Sequence, residues 1–313
     1  KASPMKSLGN LAETLKAIVD LARLAPSVHK TQPWQVTMTD EDKLAVMLDR
    51  AHTLEAGDPT GRQDIISLGI FCEAVDVAAR VCGFRVQKAV FHDNHAELHL
   101  QTHTPVAADT QAAKHLRSRS SDRSIYSPAT IDQRVARSIE KASADRVKVH
   151  VTSDPQIIGV VADLTSRAMG VALSSQAFRD ELSEYLVRQG SGKKRGIAVG
   201  SLYINPVLGW LEPFLLKHGI NLGAEAKLEK RRWESAAGLV IITAEGDMPH
   251  YWFEVGQAYL RASLAIEEAG LSQATSAAVV EASNYHEDVE ELLGTQQRIL
   301  AILRVGRGQT ERR

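Results

Sequence analysis

Three groups of polar and basic residues in this chain have types and spacings that could do chemistry. The first is Ala25-Pro26-Ser27-Val28-His29-Lys30-Thr31-Gln32-Pro33-Trp34, where hydroxyls, an imidazole, an ammonium and an amide stand between two prolines. Prolines fix their own backbone and restrict the residue before them, so this is a stiff polar turn that suits the wall of a pocket for a flat, polar ligand. Its plainer reading is a surface turn with Trp34 anchoring the strand that follows. The second group is Arg119-Ser120-Ser121-Asp122-Arg123. Alternate side chains of extended backbone point the same way. Arg119, Ser121 and Arg123 could therefore grip one phosphate, where guanidinium forks and hydroxyls add up. The third is Arg304 and Arg307, at the end of an apolar strand beginning at Ile299, with Arg312 and Arg313 reading as a basic tail.

Other chemistries find less support. His92, His95, His99 and His103 scatter around a hairpin turn without thiolates or carboxylates at zinc spacing, so no metal site is expected. There is no Gly-x-Gly-x-x-Gly opening a helix after a strand, no Walker loop and no Gly-x-Ser-x-Gly.

The first group resembles the Ala-Pro-Ser-x-x-Asn-x-Gln-Pro-Trp signature of the FMN-dependent nitroreductase superfamily, with Lys30 where that pattern has Asn. Its His and following run are most similar to the Acg-like branch. The Arg119–Arg123 run resembles the Arg-x-Ser-x-Arg segment with which nitroreductases begin, and Arg304-Val305-Gly306 resembles their terminal Arg-x-Gly. The resemblance implies an α+β nitroreductase-like fold, a mixed sheet flanked by helices, with FMN as cofactor. It implies that Pro26, Ser27, Lys30 and Gln32 wall the flavin, and that Arg119 and Ser121 hold its phosphate and ribityl chain. Arg123 would approach the N1–C2=O edge, stabilising the negative charge that reduction puts there, and Arg304 and Arg307 would reach the phosphate. No catalytic side chain is implied. The implied activity is NAD(P)H-dependent two-electron reduction of nitroaromatic or quinone-type acceptors through flavin N5; FMN storage without turnover is the competing reading. Asp58-Pro59-Thr60-Gly61-Arg62 also resembles the Acg-like branch, with Asp58 placed to cap a helix and Arg62 to face the interface or cofactor. Gly270-Leu271-Ser272-Gln273-Ala274 falls where the family sets backbone amides against the flavin.

The order of these motifs bears on the elements that must position them. In the family the Arg run comes first and the Gln-Pro-Trp loop follows. Here the loop opens the first half and the Arg run opens the second. The arrangement implied is a pseudo-dimer fused in one chain, with a single complete site at its internal interface. The first half spans 10–105 and the second 114–308. The coarse pattern predicts helix 10–25, strands 34–39 and 44–49, a long helix 62–82 and a hairpin of 84–91 and 96–102. Leu11, Leu15, Ile18, Val19, Ala22 and Leu24 approximate the apolar face of the first helix. The second half repeats the plan with helix 131–142, strands 147–152 and 239–243, and helix 250–269. Gly69 and Gly83 stand fourteen residues apart, as do Gly256 and Gly270. Trp34 to Gly69 is 35 residues and Val149 to Gly256 is 107, so about 72 extra residues sit in the second half, within about 165–235. They read as a helix around 155–188, a hinge at 190–196 and an apolar-aromatic stretch to Trp233. An added core layer and a lid are equally good expectations.

Bulk properties narrow the partners. Of 313 residues 44% are hydrophobic and 24% charged, as in an ordinary globular protein. A formal net charge of -1 offers nothing to nucleic acid or to an anionic membrane. Cys72 and Cys82 read as thiols of a reducing compartment, so a cytoplasmic protein, monomeric or homodimeric, is expected. No secretory signal is visible, Met5 reads as the natural start, and the uncharged run 196–211 is too short for a membrane span.

Overall fold

The computed structural model describes residues 8–187, 193, 195–202 and 206–309. The first half runs α1 (Leu8–Ala22), β1 (Trp34–Asp40), β2 (Lys43–Leu48), α2 (Arg62–Val81), β3 (Phe84–His92), β4 (His95–Thr102) and α3 (Ala107–Ser118). The second begins with α4 (Gln133–Glu140) and β5 (Val147–Thr152). An insertion follows, made of α5 (Pro155–Ser174), α6 (Gln176–Tyr185), β6 (Leu186–Val187), β7 (Ile197–Ala198), α7 (Pro206–Lys217) and α8 (Leu222–Glu234). The chain closes with β8 (Gly238–Ala244), α9 (Pro249–Glu268), β9 (Ser272–Thr275), α10 (Ala278–Glu281), α11 (Tyr285–Leu293) and β10 (Arg298–Gly306).

The class is α+β, as expected. Two four-stranded sheets are ordered β1-β2-β4-β3 and β5-β8-β10-β9, and every ladder in them is antiparallel. Counted in chain order within each sheet, leaving β6 and β7 aside, the two orders are the same. Parallel pairing among the described residues is confined to the short β6–β7 pair and to one bridge, Ser121 to Gln273, which lays the Arg-run segment along β9. The β3–β4 turn is as short as its chemistry allows: His92 pairs with His95, and Asp93 takes a positive φ of 37°.

The long helices α2 and α9 form the centre. α2 is buried along most of its length, from Ile65 to Ala79 on nearly every side, because α1, its own sheet and α9 all pack on it. β8 is buried at all seven positions. Val240 and Ile242 face the main core with α9, while Leu239 and Ile241 face a second cluster with Ile158, Val161 and Trp233 of α5 and α8. The insertion therefore does supply a core layer, on the outer face of the second sheet.

Several expectations are corrected in detail. α1 ends at Ala22, so Leu21 is buried in the place expected of Leu24, which is 45% exposed. The helix expected over 155–188 is two helices, broken where Ser175 accepts a hydrogen bond from Phe178 N as the cap of α6. The helix α3 has no counterpart among the expected elements. Residues 190–192 and 194 of the expected hinge lie outside the described residues, as do Arg312 and Arg313. Among the described residues one helix, α5, is long and apolar enough to cross a membrane by length and composition; here it packs against α8.

Candidate functional site

The loop before β1 is wound more tightly than a plain turn. His29, Lys30 and Gln32 have φ of 44°, 55° and 49°, a region that non-glycine residues rarely occupy. Local bonds over-determine it: Gln32 N donates to Ser27 Oγ at 3.0 Å, Val28 N to Ser67 Oγ at 3.2 Å, and the Gln32 side chain to Arg23 O at 3.0 Å. Trp34 is the anchor its plainer reading expects, stacked on Phe71 at 4.4 Å. Pro26, Ser27, Val28 and His29 face a cavity of about 480 Å³, within the range of small-molecule sites.

The opposite wall comes from the second half. Asp122 N donates to Gln273 O at 2.8 Å and Ser127 N to Arg307 O at 2.9 Å, so residues 121–127 are pinned to the sheet edge. Ser121 and Arg123 then project into the cavity together, beside Ala274, Thr275 and Ser276. Arg123 donates no side-chain hydrogen bond among the described residues, and its burial lowers its pKa from the ordinary arginine value, Arg232 and Arg304 acting the same way. The insertion closes the third side with Met169, Leu173, Phe178, Leu182 and Leu216, together with Glu212, Glu225 and Glu229.

The structure thus brings Pro26, Ser27, Ser121, Arg123 and Arg304 to one cavity and leaves Arg119, Lys30, Gln32 and Arg307 off its lining. Arg304 is 1% exposed and committed elsewhere. It donates to Arg232 O, Asp122 O and Ser124 O at 3.0, 3.2 and 2.9 Å and lies 4.0 Å over the Tyr126 ring. It braces the Arg run instead of reaching outward. Arg307 is exposed. Lys30 is exposed too, its carbonyl accepting from Gly196 N at 3.2 Å. Arg119 caps α3, donates to Leu24 O at 3.2 Å and keeps a buried Nε without a partner among the described residues. Arg62 faces the interface and not the cavity: it bridges the halves to Asp247 at 2.9 Å and Glu281 at 2.7 Å. Asp58 caps as expected, accepting from Asp64 N at 2.9 Å.

Sequence reasoning offered the insertion as a lid or a core layer but named none of the charged residues it brings to the cavity. Arg232 pairs with Glu229 at 3.2 Å and Glu225 at 3.5 Å, while burial raises the carboxyl pKa of both Glu212 and Glu225. The i, i+4 and i+7 spacing of Glu225, Glu229 and Arg232 on one helix was the signal available. The insertion is also clamped to the first half. Glu181 accepts three backbone hydrogen bonds, from Glu55 N, Ala56 N and Gly57 N at 2.7, 3.0 and 2.7 Å.

No family model matches the chain. Against curated proteins it is 32% identical over 121 residues to the Mycobacterium tuberculosis protein named "Putative NAD(P)H nitroreductase Rv3131", covering 37% of this chain and 35% of that one. It is 31% identical over 88 residues to "Putative NAD(P)H nitroreductase acg" of the same organism, covering 28% and 26%. Over those stretches the chain is similar in sequence to both proteins. The match spans about a third of the length of the first and about a quarter of the second. Among solved structures it overlaps an iodotyrosine deiodinase bound to FMN and 3-iodo-L-tyrosine, with TM-score 0.41, 15% identity, 64% of this chain and 92% of that one. It overlaps the FMN-dependent nitroreductase NfnB of Mycobacterium smegmatis, in complex with NADPH, with TM-score 0.39, 17% identity, 64% and 89%.

Proposed function

We propose that the cavity between the halves holds FMN and that the protein transfers two electrons from NAD(P)H to a small electron-poor acceptor of nitroaromatic or quinone type. The observation that carries this is the meeting of Pro26 and Ser27 from one half with Ser121 and Arg123 from the other, across one cavity. The donor set suits the cofactor. Arg123 has a guanidinium uncommitted among the described residues and Ser121 a hydroxyl beside it, groups that suit an anionic, hydrogen-bond-accepting ligand. FMN, when bound, supplies a reversible two-electron centre. The chain's own residues would orient it, place a fixed positive charge against its polar edge, and keep water from the apolar side through Leu173, Phe178 and Leu182.

The two sheets of identical order and the split of the wall between them support one complete site within a single fused chain, so that a monomer suffices for cofactor binding. Storage of FMN is the second reading, favoured by one observation: the Glu181 clamp ties the insertion down over the cavity.

The test is direct. The purified protein should carry, or take up, a flavin identified as FMN after release, and NADPH or NADH under argon should bleach it. A colourless protein that takes up no added FMN overturns both readings. Bound FMN that neither nicotinamide reduces leaves storage.

A further inference from the structure

His29 stands where the three walls of the cavity meet. Its ring lies 6.4 Å from Phe178 and 6.3 Å from Tyr185, both of the insertion, and it lines the cavity with Ser27 of its own half. Its Nδ1 is buried and has no hydrogen-bonding partner among the described residues. A buried imidazole nitrogen left unsatisfied costs free energy that a bound ligand can recover. The backbone that carries this residue is in the left-handed region and is held there by the Ser27 and Ser67 bonds, a form of strain that collects at ligand-binding positions.

We propose that His29 is a ligand-orienting residue, donating a hydrogen bond to the nitro or carbonyl oxygen of a flat, uncharged aromatic molecule seated under the insertion. The inference rests on the flavin reading for what fills the rest of the cavity. Three observations narrow the ligand class. Met169, Leu173, Phe178, Leu182 and Leu216 offer an apolar bed. Glu212 and Glu225, with Arg232 as the cation paired to Glu225, oppose an added negative charge. Burial and the nearby Arg123 hold the imidazole neutral, at about 4, so one ring nitrogen carries a proton and donates without bringing a charge into the apolar bed.

The test uses 4-nitrobenzyl alcohol as probe and toluene as the matched molecule without an acceptor oxygen, on protein labelled at histidine Cε1, with and without FMN. The probe should shift the His29 resonance saturably and toluene should not. His29→Gly, which the positive φ tolerates, should weaken probe binding about tenfold while leaving FMN affinity and melting temperature within the parent's range. His29→Asn should restore part of the loss. Equal probe affinity in His29→Gly, or a His29 resonance that ignores the probe, overturns the proposal. So does a loss of FMN affinity as large as the loss for the probe, since His29 would then be a cofactor contact. A protein that refuses FMN but still shows the probe shift and its loss in His29→Gly keeps this proposal and discards the flavin reading.

Discussion

Gly69 of α2 and Gly256 of α9 meet face to face, and each occupies the space the other leaves. A Cβ on Gly69 would lie 2.0 Å from Phe253 O, three residues before Gly256; a Cβ on Gly256 would lie 2.1 Å from Ile66 O, three residues before Gly69. The contact is reciprocal, as in a two-fold interface where residue i meets j and j meets i. It lies between two halves whose sheets share one strand order. The helix crossing is thus locally two-fold in character, and the cavity is lined from both sides of it.

Gly69→Ala and Gly256→Ala should each destabilise the protein by about 1–3 kcal/mol, despite the better helix propensity of alanine, because the obstacle is rigid backbone. The double variant should lose less than the sum, since the first methyl already parts the helices. Urea unfolding of the three variants measures this; a gain in stability in either single variant would mean the helices do not cross so closely.

Arg123→Gln should lower FMN affinity by about 10–100-fold, the worth of a charge-assisted contact. Lys30→Ala should change it by less than about twofold, since Lys30 is exposed and off the cavity. Fluorescence titration with FMN compares them, and the reverse ranking would move the site to the loop's outer face.

Asp64 sits buried beside Asp58 and Glu181 with one carboxyl oxygen unpartnered, and burial first, then Asp58, raises its pKa to about 8. The folded state therefore keeps a proton that the unfolded chain gives up above its ordinary value of 3.8. Its contribution to stability falls as pH rises from about 4 to about 8 and is flat outside that window. Asp64→Asn should thus be more stable than the parent at pH 8 by at least about 1 kcal/mol, with the difference vanishing near pH 4. Urea unfolding at pH 4, 6 and 8 checks it; a difference independent of pH would show that Asp64 is ionised in the fold.

Glu181→Ala should release the insertion from loop 55–57. Amide exchange at Glu55, Ala56 and Gly57 should quicken at least about tenfold, while β8 and β10 keep their protection. Unchanged exchange at all three amides would show that the loop holds itself and that Glu181 is no clamp.

Much of this molecule was legible in short stretches of sequence, because the forces there are local. Period-two side-chain direction predicts that Ser121 and Arg123 project together, proline stereochemistry predicts the stiff 26–33 loop, and the Asp93-Asn94 turn follows from turn chemistry alone. α3 escaped notice because much of what steadies it is tertiary: Ala113 and Leu116 bury against the core. What sequence could not settle is which arginine stays available. Arg123 and Arg304 look alike in the chain, but Arg304 is claimed by carbonyls from Arg232, Asp122 and Ser124, and Arg123 meets none among the described residues. The insertion posed the same problem, since a core layer and a lid share one composition; α5 and α8 bury against the second sheet while α6 reaches the cavity. Local stereochemistry is written residue by residue, whereas the availability of a buried charge depends on partners far along the chain, and only the folded structure brings them within hydrogen-bond distance.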